Sequence, residues 1–180
     1  MTPDSYHEFF LASAGVAGAL TGLLFVAISV APERVLAEDA VQLHRVRASA
    51  ALTSFTNTLT VSLFALVPGV HVGWPAAVVA VVGLLFVAGS LVSLLRERSS
   101  MSGAGGDAGF LTGLVIVFGL QLFYGIRLIG DEDDLGALDG ISVLVIVCFL
   151  VGIARSWELI GGPSFGLISQ LRKAFGRRGR

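Results

Sequence analysis

Five stretches of this chain are too apolar to face water, and too little polar sequence lies between them to cover them. Residues 9–31 run 23 positions without a charge, 48–67 run 20 and 76–95 run 20. Residues 108–129 run 22, interrupted by Gln121 and Arg127. The fifth, 141–160, has 14 clean residues (141–154) and reaches spanning length only through Arg155 and Glu158. An α-helix rises 1.5 Å per residue, so about 20 apolar residues cross ~30 Å of hydrocarbon. With 54% of residues apolar, 14% charged and a mean hydropathy of +0.85, the chain reads as an all-α membrane protein with five transmembrane helices over residues 1–160. Residues 161–180 form a separate tail. The lipid bilayer is its first expected partner.

The breakers between the runs agree with this division. Pro32 closes the first, Pro68-Gly69 the second, and Pro75 opens the third at a first turn, where its missing N–H does no harm. The first run is expected to stay as a helix rather than leave as a signal peptide. No Lys or Arg precedes it, it exceeds an h-region in length, and Pro32 directly follows the small-x-small triplet Ser29-Val30-Ala31.

Five crossings place the termini on opposite faces. One face collects Arg34, Arg45, Arg47, Arg96, Arg98, Arg155, Arg172, Lys173, Arg177, Arg178 and Arg180, all the cations of the chain except Arg127. The other carries the acidic run 131–134 with Asp139 nearby. The excess of cations predicts an N-terminus outside and a cytoplasmic C-terminus. In the tail, Phe165, Leu167, Ile168, Leu171 and Phe175 recur every three or four residues among basic residues. This reads as a basic amphipathic segment on anionic lipid, with a frayed basic tail as the alternative.

Glycine is abundant, 23 of 180 residues, and ten of these lie inside spans. Ala14, Gly18 and Gly22 form two small-xxx-small steps in the first span, and Gly109 and Gly113 one in the fourth. Lipid provides no hydrophobic force between helices, so close approach through small residues is a main source of association. One of these two helices is expected to pack within the subunit and the other between subunits of a homo-oligomer.

Polar groups inside hydrocarbon must be satisfied or face water. In the second span Ser49, Thr53, Thr56 and Thr60 share one stripe, Asn57 flanks it, and Ser54, Thr58 and Ser62 form another. The functional reading is a polar-lined path for passive movement of a small ion or solute. The alternative is hydroxyls bonded back to carbonyls four residues earlier, with Asn57 clamping two helices. In the fourth span Gln121, Tyr124 and Arg127 share a face rising toward the acidic run. Gln121, Arg127, Asp131 and Asp133 are candidates for charge selectivity at a pore mouth, and Arg127 is expected to pair with Asp131 or Asp133. Arg155 and Glu158 read as a solvated intrahelical ion pair.

Other chemistry is missing from the sequence. A net charge of −1 excludes binding to nucleic acid by phosphate neutralisation. The single Cys148 excludes a disulfide framework and a Cys-based zinc site. His7, His44 and His71 stand singly outside the spans, so no intramembrane haem ligand, metal site or other cofactor is expected, nor an enzyme. Residues 9–29, FFLASAGVAGALTGLLFVAIS, resemble the first span of a family of small multi-span bacterial membrane proteins, some of them labelled modulators of a membrane protease. The resemblance implies a bacterial inner-membrane protein and, as the rival function, a non-catalytic modulator or scaffold subunit of another membrane complex.

Overall fold

The computed structural model describes the backbone of residues 4–30, 41–96 and 104–159, and the side chains of 6–30, 48–92 and 111–159. Among these residues the elements are helices: α1 (Asp4–Val30), α2 (Val41–Leu66), α3 (Gly73–Arg96), α4 (Ala104–Gly130) and α5 (Leu135–Leu159). All five are long and apolar enough to cross a membrane. The tail, and with it the amphipathic segment and its anionic-lipid contact, lies outside the described residues.

The fifth helix corrects the expectation of a short span. It begins at Leu135, ahead of the apolar run, because Asp134 caps it. The Asp134 Oδ1 accepts from the Ala137 amide at 3.0 Å, and its carbonyl accepts from the Ala137 and Leu138 amides. Asp139, in the first turns of this helix, is held by the Tyr6 hydroxyl of α1, which donates to its Oδ1. The turn between α2 and α3 is equally local. Val67 and Val70 amides bond to the carbonyls of Phe64 and Val67, and Gly69 adopts φ +76°, a conformation open to glycine.

Helices α2, α3, α4 and α5 form a closed ring in which each packs on the next and α5 returns to α2. Helix α1 lies outside this ring along α2 and touches α5 lightly. Half of the α2 span is buried against 22% of the α1 span, so the least oily helix is the central one. Phe10, Phe55, Phe118, Leu111, Leu114 and Ile141 fill the interior.

Close approach is made by glycines other than those in the spaced steps. A Cβ on Gly125 would lie 2.9 Å from the Ala77 nitrogen, and one on Gly73 2.9 Å from the Ile129 nitrogen, so α3 and α4 touch backbone to backbone. Gly83 receives the face of Phe118, Gly140 that of Tyr124 and Gly152 that of Phe55. By contrast Gly18, Gly22 and Gly113 have nothing within 4 Å of a Cβ position. Of the small-residue steps, only Ala14 is buried; Gly18 and Gly22 face outward from α1 and Gly113 outward from α4. The side-chain surroundings of Gly109 lie outside the described residues. Within the subunit the first stripe is thus buried at Ala14 alone, and Gly18, Gly22 and Gly113 meet no neighbour there.

Candidate functional site

The polar groups of the spans separate into four places. The first is an amide junction at the centre of the ring. Asn57 Nδ2 donates to Gln121 Oε1 at 2.9 Å, and Gln121 Nε2 returns a bond to Asn57 Oδ1 at 2.9 Å. Gln121 Nε2 also donates to the Ala76 carbonyl at 3.1 Å, and Asn57 Nδ2 to Cys148 Sγ at 3.3 Å. All four ring helices thus meet through two side chains, exposed by 2% and 1%. Asn57 and Gln121 each stand nine residues from the C-terminal end of their helix, about 14 Å in. At that depth nothing but protein can satisfy an amide.

The junction splits the residues expected to line a path. Asn57 turns inward, while Ser49, Thr53 and Thr60 are half-buried and Thr56 is exposed on the outer face of α2. Helices α1 and α3 flank that face, because both pack on α2. Thr21, Ser29, Ser54, Ser142 and Ser156 bond back to the carbonyl four residues earlier. Among the described residues Thr53, Thr56 and Thr60 make no such bond. The second stripe is buried in the α2–α5 seam: Ser54, Thr58 and Ser62 are each 0% exposed, and Thr58 Oγ1 donates to the Val145 carbonyl at 3.4 Å.

The third place is the end of the bundle where three contacts involve the N-terminus of α1 and the turns after α2 and α4. Besides Tyr6 and Asp139, His71 Nδ1 lies 3.1 Å from Glu132 Oε2, and Arg127 Nη2 lies 2.6 Å from Asp134 Oδ2. Arg127 therefore pairs with the helix cap instead of Asp131 or Asp133, and its guanidinium stands 6.0 Å from the centre of the Phe123 ring. Asp131 Oδ1 accepts from the Asp133 amide at 3.2 Å, an Asx turn that holds both carboxylates at the exposed bend. Of the selectivity candidates, Arg127, Asp131 and Asp133 share this end, and Gln121 belongs to the central junction.

The fourth place corrects a second expectation. Arg155 and Glu158 are paired at 2.6 Å, but with side chains only 6% and 10% exposed they lie inside the bundle instead of in solvent. Burial makes removal of either partner far costlier than at a solvated pair.

The missed residue of the set is Cys148, which served in the sequence only to exclude a disulfide framework and a Cys-based zinc site. Its signal was position, near the middle of a span, since a buried thiol in a dry core is a ready weak partner for an amide.

Taken together, the architecture is that of a multi-pass membrane bundle whose polar groups cross-link its own helices, with Thr56 left exposed beside the half-buried Ser49, Thr53 and Thr60. No family model, curated protein or solved structure matches the chain.

Proposed function

We propose that copies of this chain associate in a bacterial cytoplasmic membrane, N-terminus outside and C-terminus cytoplasmic, and that the outer face of α2 borders a path for passive movement of a small ion or solute between copies. The observation that carries the reading is the exposure of Thr56, with the half-buried Ser49, Thr53 and Thr60 on the same stripe. A hydroxyl presented to hydrocarbon loses its water partners without replacement. Water in a path, or a second copy, restores them. The filled interior favours a route beside each chain over one through it. Arg127 with Asp131 and Asp133 would then set the charge preference at the outer mouth. Orientation rests on the cation asymmetry, and the bacterial setting on the resemblance of residues 9–29.

The test is solute and ion flux into sealed liposomes carrying the protein. Thr56→Val should lower flux several-fold while the fold stays intact. Asn57→Leu should act only through loss of stability. Flux that is absent, or unchanged in every variant, overturns the proposal.

A second reading is favoured by Gly15, Gly18 and Gly22, which are exposed on α1 and have nothing within 4 Å of a Cβ position. That face would suit a helix of another complex, with this chain as a non-conducting modulator or scaffold. Gentle detergent extraction separates the two. A self-sufficient oligomer supports the path, and co-purification with one fixed partner supports the scaffold.

A further inference from the structure

Ser62 Oγ is the one buried side-chain oxygen or nitrogen among the described residues that lacks a hydrogen-bond partner. Its neighbours on the same face do not share this fate, since Ser54 returns its hydroxyl to Ala50 and Thr58 reaches across to Val145. The helix register brings two more serines to its height. On α5, the contacts of Phe55 with Gly152 and of Thr58 with Val145 carry forward to place Ser142 within about one turn of Ser62. On α1, Phe10 packs in one cluster with Val61 and Ala65, and Leu24 in another with Ala51 and Phe55, so Ser13 stands level with Ser62. Ser13 is itself 6% exposed. Three helices thus each carry a serine within about a turn of this level.

We propose that the junction of these three helices binds an internal water molecule, held by Ser62 together with Ser13 and Ser142. A buried water requires two to four polar partners. Ser62 offers both a donor and lone pairs. Ser142 donates to the Leu138 carbonyl at 3.0 Å and keeps its lone pairs for an incoming donor. The Tyr6–Asp139 contact caps the junction on its outer side, because Tyr6 precedes Ser13 by about two turns and Asp139 precedes Ser142 by about one. Exchange with the outer solution therefore passes that contact. The site lies on the buried face of α2 and does not rest on the conduction reading.

Water-edited solid-state NMR of the full chain in lipid bilayers tests this directly, with isotope-labelled protein and bulk water as the probe. Polarisation from water should reach Ser62 at least about threefold faster than it reaches Val87 in the dry core. In Ser62→Ala, and separately in Ser13→Ala, transfer to Val61 and Thr58 should slow to the Val87 rate, while the other chemical shifts keep the fold's pattern. Transfer to Ser62 as slow as to Val87 in the unaltered chain overturns the proposal, and so does a Ser62→Ala variant whose unfolding midpoint rises.

Discussion

Replacing Asn57 with Leu and Gln121 with Met, singly and together, measures what the central junction contributes. The single change at Asn57 removes both inter-amide bonds and the contact with Cys148, leaving Gln121 held by the Ala76 carbonyl alone. Interhelical hydrogen bonds in membranes average ~0.6 kcal/mol, so the two lost amide bonds come to about 1.2 kcal/mol. The stranded Gln121 carbonyl oxygen adds an unsatisfied-acceptor penalty of about 1–3 kcal/mol. Asn57→Leu should therefore destabilise by about 2–4 kcal/mol, and Gln121→Met by a similar amount. The double variant exchanges both amides for apolar groups of like size and should cost less than the two singles added, with a coupling of at least ~1.5 kcal/mol. Reversible unfolding in bicelles or mixed micelles supplies the free energies. Single effects that add to within ~0.5 kcal/mol would show that the two amides act independently, and the junction would lose its role.

Three further outcomes follow from the geometry. Gly152→Ala drives a methyl into the Phe55 ring and should lower stability by about 1–3 kcal/mol, with Phe55→Leu restoring part of it, whereas Gly18→Ala, which meets open space, should leave the unfolding midpoint nearly unmoved. Asp134→Ala removes the cap of α5 and should cost about 1 kcal/mol, but Arg127→Gln should cost under ~0.5 kcal/mol, because Arg127 is half exposed; equal losses in the same unfolding assay would contradict the assignment of Asp134 as a cap. Thr56→Val should leave stability within about 0.5 kcal/mol of the parent while lowering flux, and a large loss of stability would mean that Thr56 packs instead of lining a path.

The five helices were legible because length and charge decide them, and the bilayer demands nothing subtler of a span. Which side of each helix turns inward was not legible. In water an amphipathic stripe marks the core, but in lipid both the surroundings and the interior are apolar, so periodicity loses its contrast. Asn57 was recognisable as a costly group, and the clamp reading was already available. Its partner was not, since Gln121 shared a face with Arg127 and was grouped with the outer charges. The close glycines were hidden for a related reason. Gly83, Gly140 and Gly152 oppose aromatic rings on other helices, a pairing that leaves no spacing signature within one helix. Arg127 found Asp134 rather than the two earlier acids because the bend at 131–134 was read as a charge cluster and not as a helix start.

The central junction also fixes an order of events during synthesis. Asn57 and Gln121 are 64 residues apart in the chain, and Asn57 and Cys148 are 91 apart. At roughly 5–20 residues per second, Asn57 leaves the ribosome about 3–13 s before its amide partner exists. For that interval α2 enters the insertion machinery with its inward face unmatched, and the ring closes only when the last helix is made. A chain truncated between α3 and α4 would keep Asn57 stranded indefinitely, a ready mark by which membrane quality control could tell an unfinished copy from a finished one.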